Sequence, residues 1–257
     1  LRKAFLQIIL SKKIHTDHTR GYRNTVAISG GETSFQVVVE QTDLFIVAEK
    51  DLSDQALAAV HDIRGILQAH FVLNPSFATS LTPVAVPENI HPVIKAMAES
   101  SQACNVGPMA AVAGAVAEYV ADQLLPLSAN VIVENGGDIF MYSSSKRKVA
   151  LLSDPDSGAR IGLSIEAADF PLSICSSSGT IGHSLSLGSG DLVTVRAKDA
   201  RFADAAATAL ANLLKSPADV PLVIEKARDL AEHGLDGVFV QYDSKIGAWG
   251  DLELVSL

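Results

Sequence analysis

Two segments of this chain are apolar on every side, and they constrain the fold more than anything else in it. Pro108 to Leu125 carries Met109-Ala110-Ala111-Val112-Ala113-Gly114-Ala115-Val116-Ala117, with charge only near its end, at Glu118 and Asp122. In Asp199 to Leu214 ten of sixteen residues are Ala or Leu, which leaves little solvent face. A helix that is hydrophobic all round has no solvent face, so each must be wrapped by the rest of the protein. Their small side chains also let neighbouring backbones approach closely. The longest uninterrupted apolar stretch, Pro108 to Ala117, is well short of the ~20 residues that cross a bilayer, so no membrane association is expected.

With 257 residues, 48% hydrophobic and 19% charged, the chain is too apolar for disorder and long enough for a large core. A net charge of −9 argues against a phosphate-backbone binder, so no nucleic acid partner is expected. Small anions remain compatible, since backbone amides or a metal can hold them. Cys104 and Cys175 lack a Cys-x-x-Cys spacing or a His partner nearby and read as two buried free thiols. Leu1 to Leu10 has two cations before an apolar run, but Gln7 interrupts the run and no small-residue cleavage site follows. It reads as a strand or an ordered terminus, and the protein as cytoplasmic.

Around the two buried helices, alternation predicts strands at Ser34–Glu40 and Leu44–Ala48, joined by a turn at Gln41-Thr42-Asp43. Ser53 reads as an N-cap, with Ala56, Leu57, Val60, Ile63 and Leu67 at helical spacing to about His70. The three prolines between Asn74 and Asn89 indicate a loop, and a helix follows from about His91 to Gln102. Strands are expected at Asn130–Glu134, Ile139–Tyr142, Val149–Leu152, Ile161–Ile165, Asp191–Ala197, Val238–Tyr242 and Leu252–Val255. A more polar helix spans Pro217 to His233 and ends at Gly234. Hairpin-type strands with helices between them predict an α+β fold with mixed, largely antiparallel sheets. The chain reads as one domain over 1–257.

Three constellations could carry chemistry. Asp204, Thr208 and Asn212 fall at i, i+4 and i+8 on one stripe of the Ala-rich helix. A carboxylate there needs a cation or several donors. It is either a structural group in the first turn of its helix or a metal ligand, with Thr208 adding an oxygen. Glu134-Asn135-Gly136-Gly137-Asp138 is a glycine turn between strands: a plain hairpin, or a turn against which a base or phosphate lies. Cys175-Ser176-Ser177-Ser178-Gly179-Thr180 combines hydroxyls with a glycine, as in an anion-binding nest or an ordinary polar loop. It is not a phosphate-binding Walker loop, since no Lys follows the glycines. His183 is a structural or surface histidine, or the group that moves a proton.

Taken in order, these blocks resemble the FAD:protein FMN transferases, the ApbE-like proteins once called thiamine-biosynthesis lipoproteins. The matches are Gly107 to Leu125, Asn135-Gly136-Gly137-Asp138, Ser177-Ser178-Gly179, and Ala203-Asp204-Ala205-Ala206-Ala207-Thr208-Ala209-Leu210. The first hundred residues place the chain in an outlying branch of that superfamily. The resemblance implies an ApbE-like, T-fold-related domain. It further implies Mg2+ held by Asp204 and Thr208, with a backbone carbonyl near Gly114 completing the metal site. FAD or a related flavin nucleotide would lie along Asn135, Gly136, Gly137, Asp138, Ser177, Ser178, Gly179 and Thr180. Two departures stand out: Ala113 where the family has Lys, and His183-Ser184-Leu185-Ser186-Leu187-Gly188 where it has His-x-x-Asp-Pro-x-Thr-Gly. Three readings follow: a Mg2+-dependent, FMN transferase-like enzyme using His183; a non-catalytic protein that binds a flavin or another small ligand; or a structural descendant with no ligand. Assembly as a homo-oligomer is compatible with each.

Overall fold

The computed structural model describes residues 31–151, 161–178 and 192–256. Eleven strands and six helices lie among these residues. Strands β1 (Thr33–Val39), β2 (Thr42–Ala48), β3 (Val131–Asn135), β4 (Asp138–Tyr142), β7 (Leu172–Ser177), β8 (Leu192–Ala197), β9 (Leu235–Tyr242) and β10 (Lys245–Gly250) form one sheet in that spatial order. Strands β5 (Arg147–Ala150), β6 (Ile161–Ile165) and β11 (Glu253–Ser256) form a second, in the order β11-β6-β5. The neighbouring strands pair antiparallel. The expected α+β class with largely antiparallel sheets is the class observed.

Alternation along the strands separates two apolar layers. Val193 and Val195 of β8 and Val238 and Val240 of β9 face the helices, while Leu192 and Phe239 face the small sheet. The helices are α1 (Ser53–Leu73), α2 (Pro75–Thr79), α3 (Pro92–Cys104), α4 (Val112–Leu124), α5 (Ala200–Leu213) and α6 (Val220–Leu230). Helix α5 lies on β7 and β8 and is flanked by α3, α4 and α6. That position explains its composition: sheet below and helices around it leave it little contact with water. Helix α4 packs against α1, α5, β3 and β4 in the same way.

Several boundaries differ from the sequence reading. Pro108–Ala111 is a 3-10 turn, and the α-helix starts only at Val112. The segment read as loop contains α2, because Pro75 suits the first position of a helix, where its missing N–H is not needed. Pro217–Asp219 and Ala231–His233 are 3-10 turns flanking α6, and Gly234 closes the second in the left-handed conformation. The first hairpin turns at Glu40 and Gln41, so Thr42 and Asp43 belong to β2 and pair with Val39 and Val38. Strand β10 was not anticipated, since Gly247 and Gly250 break its alternation. Ser53 is the first helical residue, and Asp51 Oδ1 accepts its N–H at 2.9 Å. Leu1 to Leu10 lies outside the described residues. Among the described residues no helix is long and apolar enough to cross a membrane.

Candidate functional site

Asp204 sits in the second turn of α5 and is only 8% exposed. Its Oδ2 accepts the backbone N–H of Gly114 at 2.9 Å, across 90 residues of sequence. Helix α4 starts at Ala111-Val112 with no side-chain cap of its own, and its first N–H groups have no partner within the helix. Asp204 therefore serves as a cap supplied by a neighbouring helix. The contact depends on Gly114: a Cβ there would lie 2.0 Å from the Ala200 carbonyl oxygen. The arrangement is reciprocal. Glu118 of α4 accepts the Ala200 N–H, near the start of α5, at 2.8 Å, and Arg201 donates to Glu118 and to Asp199 at 2.6 Å each. The position of Glu118 in an otherwise apolar helix was its only sign in the sequence.

Beside this junction lies the β3–β4 turn. Asn135 pairs with Asp138, and Gly136 and Gly137 take φ of 70° and 110°, the left-handed region that a two-residue hairpin demands. Gly137 N–H donates to Glu134 Oε1 at 3.0 Å. Asn135 Nδ2 donates to the Ala113 carbonyl at 3.1 Å, which ties the turn to the start of α4. Asp138, 4% exposed, lies beside the Cys175 thiol and the Ser176 N–H. Cys175 lies 3.3 Å from Ser173 Oγ and 3.8 Å from the Ala200 carbonyl. Asp138 Oδ1 is buried without a hydrogen-bond partner.

Two buried carboxylates thus face one region. Burial pushes Asp204 well above the usual carboxylate range; the Asp138 charge adds to this, and the Gly114 and Ala113 N–H groups oppose it. Burial likewise raises Asp138, to about 7. Among the described residues neither carboxylate has a basic partner. Burial also raises both thiols, Cys104 to about 12 and Cys175 well above the usual value. Both are expected to resist DTNB in the native chain and to react once it is unfolded in guanidinium; rapid labelling of either in the native state would contradict this packing.

The serine segment is only partly in view. Ser176 and Ser177 belong to β7 rather than to a loop. Ser176 Oγ lies 2.9 Å from Thr194 Oγ1, and Ser177 Oγ is buried without a hydrogen-bond partner. Ser178 follows the strand, while Gly179, Thr180 and His183 lie outside the described residues. Thr208 is half-buried, one turn beyond Asp204. A cavity of about 490 Å³ lies between α3, α5 and α6, lined by Cys104, Asn105, Leu210, Asn212, Lys226 and His233 among others; of the Asp204-Thr208-Asn212 stripe only Asn212 lines it. Among the described residues no three His, Cys, Asp or Glu side chains are grouped to hold a metal. A cation here would rest on two carboxylates and neutral oxygens, which suits a hard ion such as Mg2+.

The fold and this junction place the chain among known proteins. The family model described as AbpE bacteria matches residues 25–237, and the chain belongs to that family. A UPF0280 protein of Methanococcus vannielii is 38% identical over 232 residues, covering 88% of this chain and 90% of that protein. A UPF0280 protein of Methanopyrus kandleri is 40% identical over 202 residues, covering 77% and 81%. Among solved structures, the ApbE protein of Thermotoga maritima superposes with a TM-score of 0.54 at 14% identity, covering 86% of this chain and 96% of that one. The apo flavinyl transferase ApbE of Pseudomonas stutzeri gives 0.51 at 11% identity, covering 85% and 94%. At such identities the structures establish a shared fold.

Proposed function

We propose that this chain binds FAD or a related flavin nucleotide together with Mg2+ and acts on it as an FMN transferase of the ApbE kind. The observation that carries this reading is the pair of buried carboxylates, Asp138 and Asp204, without a basic partner among the described residues, beside a glycine turn and the start of a helix. Asp204 and Thr208 would hold the metal. Asn135, Gly136, Gly137, Asp138, Ser177, Ser178, Gly179 and Thr180 would line the nucleotide, and His183 would carry the proton. Mg2+ bound there would offset charge developing on the phosphate oxygens. The chain's own contribution is positional: α4 and the glycine turn fix the carboxylates. That the structural neighbour from Pseudomonas stutzeri is a flavinyl transferase supports the choice of ligand.

A second reading, binding without turnover, is supported by Ala113 and by the absence of Asp-Pro-x-Thr-Gly after His183. Incubation with FAD and Mg2+ separates the two. A transferase-like enzyme breaks the pyrophosphate bond, passes the FMN phosphoryl group to a hydroxyl or to water, and releases AMP, whereas a binder returns FAD intact.

Asp204→Ala tests the metal assignment. Loss of a charge-assisted contact of this kind costs ~1.5–3 kcal/mol, so FAD affinity in Mg2+ should fall about ten- to over a hundredfold by calorimetry. Equal affinity in EDTA, in Mg2+ and in the variant would show that Asp204 only caps α4.

A further inference from the structure

The proposed site assigns one carboxylate, Asp204, to the metal. The geometry points to a second: Asp138 shares a divalent cation with Asp204, so that the chain holds Mg2+ or Mn2+ before any nucleotide arrives. This inference rests on the reading of the site as a metal-dependent nucleotide site, and extends it.

Asp138 opens β4 directly after the glycine turn. Strand β4 pairs with β7, with Ile139 opposite Ile174, so Asp138 lies one step further along, across from Cys175. Its carboxylate lies beside the Cys175 thiol and the Ser176 N–H. Its Oδ1 has no hydrogen-bond partner although it is sealed from solvent. An ionised oxygen left this way is costly, and native proteins rarely tolerate it without a ligand, a water or an ion. A second orphan lies close by. Ser177 is two residues beyond Cys175, hence on the same face of β7, and its Oγ is also buried without a partner.

A water could serve one orphaned oxygen, but it would leave the charge unanswered. Asp138 and Asp204 meet at the start of α4: Asn135, which pairs with Asp138, donates to the Ala113 carbonyl, and the next residue, Gly114, donates its N–H to Asp204, so the two charges repel one another. Among the described residues neither carboxylate has a basic partner: Arg201, on the same helix as Asp204, is engaged by Glu118 and Asp199. One divalent cation answers both demands, meeting the lone pairs of Asp138 Oδ1 and the paired negative charge. The donors on offer are oxygens, since burial keeps the Cys175 thiol protonated and it donates to the Ala200 carbonyl, and oxygen donors select a hard ion. With two carboxylates instead of one, nucleotide phosphates are no longer required for the ion to bind.

The test is a Mn2+ titration of the EDTA-treated, dialysed full chain without nucleotide, read by electron paramagnetic resonance of the free ion and by calorimetry. The wild type should bind one Mn2+, displaced by excess Mg2+. Asp138→Asn and Asp204→Asn should each weaken Mn2+ at least tenfold. Asp138→Asn keeps the shape of the side chain and removes its charge, so the fold should persist, as thermal melts of the metal-free variants would show; Asp138→Ser serves as the second variant. If the wild type takes up Mn2+ only when FAD is present, the shared site is overturned while the metal-dependent nucleotide reading stands. An Asp138→Asn titration that matches wild type beside a crippled Asp204→Asn has the same meaning. If Mn2+ binds neither alone nor with FAD, both fail.

Discussion

Replacing Gly114 by alanine is expected to lower the melting temperature by roughly 4–16 °C. The added Cβ would sit 2.0 Å from the Ala200 carbonyl oxygen, and backbone at both ends of that contact must move. Overpacking of this kind typically costs ~1–3 kcal/mol. Separating the helices also pulls the Gly114 N–H from Asp204, and losing a cap adds ~1 kcal/mol. In chains near this size each kcal/mol moves the midpoint by about 2–4 °C. Gly65→Ala is the control. That residue lies exposed within α1, with nothing within 4 Å of the place a Cβ would occupy, so alanine should hold or slightly raise the midpoint through helix propensity. Gly114→Ala melting with wild type would mean that α4 and α5 do not approach as described.

In EDTA, stability is expected to fall as pH rises from about 4 to about 7, and Asp138→Asn should remove much of the fall. Asp138 is raised from 3.8 to about 7 by burial. Between those values the folded chain keeps a proton that the unfolded chain has released, so its contribution is fully present at low pH and is lost towards neutrality. Glu118, raised from 4.5 to about 7 chiefly by burial, acts in the same direction, as does Asp204. His70 opposes them: burial lowers its value, so its contribution improves as pH rises through 6.5. Comparing wild type with Asp138→Asn cancels the His70 part. At ~1.4 kcal/mol per unit, the ceiling for Asp138 is about 4 kcal/mol, and about half of that is expected once the interior relaxes. The Asn variant should therefore melt several degrees above wild type at pH 8 and close to it at pH 4.5. Parallel profiles for the two proteins would show that Asp138 is not desolvated as described.

Much of this was legible in the sequence, for a physical reason: it was written in local patterns. The all-round apolar character of α4 and α5 marked them as buried, and paired glycines between apolar runs marked the β3–β4 hairpin. Asp204 stood out because a lone carboxylate among alanines needs a partner. Its partner was not legible, because the Gly114 N–H is contributed by a helix 90 residues away. The same holds for Glu118 with Ala200 and for Cys175 with Asp138, contacts fixed by packing and sheet register. Ser177 was misplaced onto a loop because hydroxyl-rich sequence resembles a turn, yet β8 extends β7 through it. Strand β10 was lost for the opposite reason, as its glycines hide a ladder that β9 supplies.

The crossed caps also bear on how the chain acquires its structure during synthesis. Helix α4 leaves the ribosome with its Gly114 amide bare, because the carboxylate that meets it is not yet translated. Asp204 arrives 90 residues later, on a helix whose own leading amide, at Ala200, then turns back to Glu118. Nascent chains that end before α5 therefore hold α4 incompletely capped. Long-range closure of this kind is slow compared with local helix formation. The core and the acidic site are therefore completed in one event, after translation has passed α5.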